Sequence, residues 1–245
     1  MIRKTLAFVA GTITIAISAC TVYHPQAVDI PLMTQQGETK IEASGSLSGW
    51  LFPDATSLNV TATHAFTDCL AGQAHLNYGS GMGAAQLAFG AFKPFGEHCV
   101  LEGYMGLNSG FMNVDNKSTD EDGTEHAKTY SYDGRFNVPF SQINFGWHDL
   151  LKGHFDVGLA LKAGAYMPSI NYYEYDSDEV RIDEKTYHYN KTNLLIEPQF
   201  MMRVGSQKVK WIFKAGFCYL NDIAEGAQHF TYDIYTLSTG VHITF

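Results

Sequence analysis

The chain has 245 residues and a formal net charge of -9, and only 17% of its residues are charged. The acidic balance argues against a nucleic-acid partner. After the N-terminal region, no apolar stretch approaches the roughly 18 residues that indicate a transmembrane helix. A chain of this length suits one or two domains, and large all-β barrels reach it as one.

The N-terminus is typical of an export signal. Arg3 and Lys4 form a short basic region, and Thr5–Ile17 is mostly apolar, long enough for a signal sequence but short for a membrane span. The run ends in Ile-Ser-Ala-Cys, with the cysteine at position 20, which resembles the bacterial lipoprotein signal. The resemblance implies cleavage before Cys20, a diacylglycerol on its sulfur and an acylated amino group, which together anchor a protein stably. The alternative is an ordinary secretory signal with a cysteine near its cleavage site.

After the signal, alternation of apolar and polar residues predicts ten strands. They are 38–50, 57–66, 71–78, 82–93, 98–111, 129–147, 154–169, 190–204, 209–219 and 231–245. An even number of strands allows a closed up-and-down barrel with both ends on one side. Counting strands puts the tight connections at 67–70, 94–97, 148–153 and 205–208 on the side of both termini. The long acidic connections, 113–128 and 172–189, fall on the other side.

One face of most predicted strands is apolar, a pattern that fits both a soluble sandwich and a membrane barrel. Four features favour the barrel. Aromatic residues such as Trp147 and Trp211 lie near strand ends, glycine is frequent on the inward rows, and many strands have 11 or more residues. The fourth is the last strand, which ends the sequence on an aromatic residue. Pro139 inside a strand argues mildly against this reading, and a shift of the apolar row there predicts a β-bulge near Ser141 and Gln142.

The whole chain after the signal resembles the small outer-membrane β-barrels of Gram-negative bacteria. Its last strand resembles the C-terminal signal by which the barrel-assembly machinery recognises such proteins. The apolar row of that strand is Tyr235, Leu237, Val241, Ile243 and Phe245. The resemblance implies a location in the outer membrane, with membrane lipid as a partner.

The segment after Cys20 looks like the lipid-anchored version of these barrels common in Bacteroidetes. It carries a Tyr-x-Pro stretch at 23–25, a Pro-Leu pair at 31–32 and a Gly-Glu strand start at 37–38. The predicted organisation is a signal peptide at 1–19, a lipidated periplasmic segment at 20–37 and a barrel at 38–245. No acidic run follows Cys20, although the resemblance would call for one in an anchor exported to the cell surface. The lipid anchor is therefore predicted on the periplasmic side.

Charged residues recur on the rows that alternation turns inward. The predicted charge network of the lumen is Glu102, Arg135, Asp156, Lys162, Glu197, Arg203, Lys210 and Lys214, with Lys40 and Glu42 on the same rows. Charges in a narrow interior must be paired, since an unpaired one costs several kcal/mol. Ten strands lie near the size at which side chains fill a barrel. The sequence therefore predicts a crosslinked interior and no stable open channel.

Other chemistry is less specific. A disulfide between Cys69 and Cys99 remains open, and the acidic loops could bind calcium or form a solvated surface. Residues His126, His188 and His229 lie near the outer loops, but their spacing matches no catalytic motif. No catalytic site, metal site or cofactor is predicted.

The leading hypothesis is a structural or interaction module in the outer membrane. Its acidic outer loops would contact an external ligand or another outer-membrane protein. Five tyrosines offer contact area there, or serve as the outer girdle: Tyr172, Tyr173, Tyr175, Tyr187 and Tyr189. A narrow channel for small solutes and an enzyme at the outer rim are the alternatives.

Overall fold

The computed structural model describes residues 21–49, 53–118, 128–175, 186–221 and 231–245. In chain order the strands are β1 (Thr21–Tyr23), β2 (Thr39–Gly49), β3 (Pro53–Ala65), β4 (Leu70–Gly79), β5 (Met82–Phe95), β6 (Cys99–Ser118), β7 (Lys128–Asp149), β8 (Phe155–Tyr175), β9 (Tyr187–Tyr189), β10 (Asn193–Gly205), β11 (Val209–Phe217), β12 (Tyr219–Leu220), β13 (Thr231–Tyr232) and β14 (Tyr235–Thr244). A single helical turn, α1 (Leu150–Gly153), joins β7 to β8. Within the described ranges, no helix is long and apolar enough to cross a membrane.

Ten of these strands close into an antiparallel barrel, which confirms the predicted fold. The order around the wall is β2, β3, β4, β5, β6, β7, β8, β10, β11 and β14. The last of these, β14, then pairs with β2 along its whole length, so the final strand of the chain meets the first strand of the wall. A closed sheet has no unpaired edge, so its backbone groups are satisfied without water.

The connections distinguish the two ends of the barrel. Apart from the two-residue connection 80–81 after β4, which lies at the opposite end, the short connections among the described residues are 66–69, 96–98, 150–154 and 206–208. They lie where β2 begins and β14 stops, and we call this the turn end; here the Phe245 N–H donates to the Thr39 carbonyl at 2.9 Å. We call the opposite end, which holds the connections that follow β6, β8 and β11, the loop end. In outer-membrane barrels short turns are periplasmic and longer loops external, so the predicted orientation places the turn end on the periplasmic side.

The wall has unequal height at the loop end. Strands β6, β7 and β8 contain 20, 22 and 21 residues, whereas β11 and β14 contain 9 and 10. A tilted strand needs about 9–11 residues to span a bilayer. Strands β11 and β14 are therefore just long enough, whereas β6 to β8 continue roughly 25 Å beyond the apolar layer.

The outward face of the barrel carries a broad apolar band. Its exposed large side chains include Leu58, Leu76, Leu87, Phe89, Met105, Ile143, Trp211 and Phe217. Monomeric soluble proteins rarely expose apolar patches larger than a few hundred Å², so this band fits a lipid environment. Aromatic rings border it at the turn end, where Phe145 stacks on Phe95 and meets the edge of Trp147 at 4.7 Å.

The last strand presents its apolar row to the same outward surface. The alternate residues Thr236, Ser238 and His242 are buried inside the barrel. The row predicted as an insertion signal, which ends at Phe245, is consequently on the lipid-facing side of β14.

Strand β7 differs from the prediction. Its pairing with β6 is continuous through Ser141 and Gln142, so the expected β-bulge does not form. Phe136 and Phe140 point inward with Gln142, and Arg135 lies exposed on the outer face. Part of the lumen is thus apolar. The prediction took the polar residues of each strand as its inward row, so it placed Arg135 on the wrong face of β7.

The cysteines predicted near the turn end do not form a bridge. Cys69 and Cys99 are free thiols, Cys69 exposed and Cys99 partly buried, and Cys218 is free and buried. The barrel is therefore closed by strand pairing and interior contacts.

Candidate functional site

The lumen of the barrel is filled by the chain's own N-terminal segment. Every residue from Tyr23 to Met33 is buried, and we call residues 23–33 the plug segment. Pro25 and Pro31 favour extended backbone at and before them, and disfavour a helix. The predicted periplasmic segment, 20–37, is thus largely inside the barrel and not beneath it, because the wall supplies partners for its polar groups.

The plug segment begins at the loop end. The strand that leads into it, β1, pairs in parallel with β13, which lies in the connection between β11 and β14. The Asp233 N–H donates to the Tyr23 carbonyl at 3.1 Å, and His24 Nδ1 lies 2.5 Å from Asp233 Oδ2. At the turn end, the Thr34 N–H donates to Glu38 Oε2 at 2.7 Å just before β2 begins. The segment therefore crosses the lumen from one end to the other.

Asp29 is the central polar residue of the plug segment. Its Oδ2 accepts hydrogen bonds from Thr63 Oγ1 at 2.9 Å and Gln73 Nε2 at 3.0 Å. Its Oδ1 lies 4.0 Å from Lys214 Nζ, and its carbonyl accepts a bond from Gln142 Nε2 at 2.7 Å. Four strands from different parts of the wall thus meet on one buried residue.

The carbonyls that follow Asp29 are held by cations of the wall. The Arg203 guanidinium donates to the carbonyls of Ile30 and Pro31, the latter at 3.2 Å. Lys40 Nζ donates to the Leu32 carbonyl at 2.6 Å. Leu32 adopts a left-handed backbone conformation with φ of 56°, which is unfavourable for a bulky residue. The contacts on both sides of this residue offset that strain.

A wall carboxylate holds the end of the plug segment. Glu102 Oε1 accepts the Met33 N–H at 2.7 Å, and its other oxygen accepts Asn144 Nδ2 at 2.9 Å. Glu102 is 1% exposed. Losing one partner of a buried polar group costs about 1–3 kcal/mol, so this contact helps to hold the segment.

The loop-end half of the plug segment packs against aromatic rings. The Tyr23 ring meets the edges of Phe136 at 6.0 Å and Tyr166 at 5.1 Å. Its hydroxyl donates to Glu197 Oε1 at 2.9 Å, and the other oxygen of Glu197 lies 3.2 Å from Lys162 Nζ. Inward aromatic side chains of β7 and β8 therefore form the pocket for this tyrosine.

The structure separates the predicted charge network into an inner set and one outlier. The buried members are Glu102, Asp156, Lys162, Glu197, Arg203, Lys210 and Lys214. Among their ion pairs, Lys210 Nζ lies 2.6 Å from Asp156 Oδ1, and Lys214 Nζ lies 2.5 Å from Glu42 Oε1. Arg135 is on the outward face and takes no part, because β7 keeps a single register.

Sequence reasoning missed the contribution of the plug segment to this network. Asp29 and Tyr23 lie outside the predicted strands, so alternation gives no inward row for them. One signal was present: Val28, Ile30 and Leu32 make this stretch too apolar for a solvated linker. Such a run needs a surface to bury it.

The other candidate sites of the sequence are only partly described. Within the described ranges, no group of three His, Cys, Asp or Glu residues could hold a metal ion. His126, His229 and most acidic residues of the long loops lie outside those ranges. The described partner of His188 Nδ1 is Asn171 Oδ1 at 2.8 Å. Of the outer tyrosines, Tyr172 and Tyr189 are buried, so they are unsuited to an external contact.

A polar cavity of about 280 Å³ opens at the turn end below the plug segment. Lys40, Asp156, Lys210 and His242 are among the residues that line it. Lys40, one of its lining residues, donates to the Leu32 carbonyl, so the cavity borders the plug segment, and we call it the vestibule.

Comparison with known proteins identifies the fold. No family model and no curated protein matches the chain. Among solved structures, it is similar to the outer membrane protease OmpT from Escherichia coli, at 9% identity over 90% of this chain and 99% of that chain, with a TM-score of 0.54. It also aligns with KdgM porin (11% identity, 84% and 99% coverage, TM-score 0.42) and NanC porin (9%, 84% and 98%, 0.40). At these identities the likeness shows the fold alone, that of an outer-membrane β-barrel.

Proposed function

We propose that this protein is an outer-membrane barrel kept closed by its own N-terminal segment, and that it acts as a structural or interaction module of the cell envelope. The observation that carries the proposal is the complete burial of residues 23–33 inside the ten-stranded wall. A lumen filled from one end to the other offers no continuous aqueous path. In this proposal the function therefore depends on the outer surfaces of the barrel and not on transport through its lumen.

The contacts of the plug segment favour the closed state. Arg203, Lys40 and Glu102 all use groups of the segment as partners. Removing the segment would leave these three side chains with water in its place in a narrow space. Losing a partner of a buried charge costs several kcal/mol. Spontaneous opening is accordingly rare.

The outer surfaces supply the interaction sites in this proposal. The apolar band contacts membrane lipid, and the last strand is read by the assembly machinery during insertion. At the loop end, β6 to β8 extend beyond the membrane surface. The adjoining β9 begins with Tyr187, whose side chain is 44% exposed. An external ligand or another outer-membrane protein would bind there. The function is non-enzymatic in this proposal.

The test measures conductance in planar bilayers. The chain from Cys20 to Phe245 should give no steady current. A variant that lacks 21–33 should conduct, because the remaining lumen is lined by charged groups that hold water. A synthetic peptide of residues 21–33, added to the deletion variant, should block the current, and a peptide of the same composition in scrambled order should not.

The alternative function is a narrow channel, and the vestibule at the turn end is the observation that favours it. In that case the complete chain itself should show steady conductance. Its ion selectivity should then change when Lys214 is replaced by Gln, since this cation lies beside both Asp29 and Glu42. Steady current from the complete chain would replace our proposal with the channel.

A further inference from the structure

We propose that the plug segment carries the N-terminus of the processed chain through the lumen to the cell surface, so that acyl chains on Cys20 enter the outer leaflet of the membrane. The sequence predicts the opposite side for this anchor. The proposal concerns topology and holds whether or not the closed barrel has the function proposed above.

The direction of the plug segment is set by contacts at both ends. Thr21 pairs with Thr231, in the connection at the loop end. Met33 is held by Glu102 and Thr34 by Glu38, next to the start of β2 at the turn end. The chain therefore runs from the loop end down to the turn end and then returns as the first strand of the wall.

The reach of the chain excludes a periplasmic anchor while the plug segment is seated. Only two residues separate Cys20 from Tyr23, and three Cα steps extend at most about 11 Å. The apolar band of an outer-membrane barrel is about 25 Å tall. An acyl chain on Cys20 thus cannot enter the periplasmic leaflet when Tyr23 is bonded at the loop end.

The height of the wall makes the outer leaflet accessible at this position. The described part of the segment starts with β1, which pairs with β13 in the connection between β11 and β14. These two wall strands have only 9 and 10 residues and end near the membrane surface. An acyl chain leaving here passes two of the shortest described wall strands, whereas β6 to β8 would obstruct it on the other side.

This route also explains how surface exposure could arise without a sorting motif. The absence of an acidic run after Cys20 argued for retention on the periplasmic side. A segment enclosed as the barrel forms around it needs no separate export step. The barrel itself delivers the N-terminus.

The first test uses the thiols of the chain in intact cells. The leader 1–19 is exchanged for a secretory leader cleaved without lipidation, which leaves Cys20 as a free thiol. Cells are treated with a polyethylene glycol maleimide too large to enter through porins. Cys20 should react in intact cells, while Cys69, exposed at the turn end, should react only after the outer membrane is permeabilised. Only protein that shows the altered gel mobility of a folded barrel is scored.

The second test keeps the natural leader. A short polar epitope is inserted between Cys20 and Thr21, and the same epitope is placed in the turn 206–208 of a matched variant. The first epitope should bind antibody on intact cells, and the second only after permeabilisation. Detection of the N-terminal epitope solely after permeabilisation overturns the proposal, as does failure of Cys20 to react in intact cells. Conductance plays no part in either result, so these outcomes are independent of the closed-barrel function.

Discussion

Replacing Asp29 by Ala tests whether the plug segment is part of the folded core. The change removes two hydrogen bonds to a buried carboxylate, from Thr63 and Gln73, and an attraction to Lys214. At about 1.5–3 kcal/mol for each bond to a charged group, and allowing for water that enters the space, we expect a loss of about 3 kcal/mol in the free energy of unfolding.

The assay is guanidinium unfolding of the barrel in lipid vesicles, followed by tryptophan fluorescence. Asp68→Ala is the matched control, because Asp68 accepts a hydrogen bond from the Gln36 N–H at 3.2 Å but is exposed at the turn end. The control should change stability by less than about 0.5 kcal/mol. If both substitutions lowered the free energy of unfolding equally, the reasoning would be refuted, since the plug segment would then stabilise the barrel no more than an exposed turn does.

Three further predictions concern the wall, the anchor and the orientation. Arg203→Met should destabilise the barrel by roughly 2–4 kcal/mol in the same assay, since it frees two buried carbonyls, while Arg135→Met on the outer face should have little effect; a larger loss from the second would restore Arg135 to the lumen. Mass spectrometry of the mature protein should show added acyl mass at Cys20, and Cys20→Ser should abolish it while the barrel still folds; an unmodified N-terminus after position 20 contradicts the lipoprotein signal. Protease on intact cells should cut within 113–128 or 172–189 and spare the turn end, and cleavage at the short turns would invert the orientation.

The wall of the barrel was predictable from sequence, and the content of its lumen was not. Strands such as β8 alternate cleanly because one face meets lipid and the other meets polar groups, so Asp156 and Lys162 could be assigned inward. The alternation misled at Phe136, where the inward neighbour is the Tyr23 ring and an apolar side chain is favourable on both faces. The plug segment has no polar face to mark it as a strand of the wall, since it is buried on every side.

A local pattern records the environment of a strand, but it does not record which distant segment supplies that environment. Asp29 could be recognised as buried only once the positions of Thr63, Gln73 and Lys214 were known together. From sequence alone, the inward charges of the wall could be paired with one another. In the structure, however, the Arg203 guanidinium has its closest partners in the plug segment, and it lies 3.9 Å from the Asp156 carboxylate.

The threaded N-terminus imposes an order on assembly. Tyr23 contacts Glu197 and Ile30 contacts Arg203, across 174 and 173 residues of sequence. If Cys20 is acylated, as the lipoprotein signal predicts, these contacts cannot form by threading a finished cylinder, because the acyl chains would have to pass through a lumen that is already narrow. The segment must lie in the cleft of the incomplete sheet before β14 pairs with β2. Contacts of such long sequence separation form slowly, so the pairing of β14 with β2 is the committing step of assembly. A peptide that competes for the cleft would therefore act on the nascent barrel but not on the mature one.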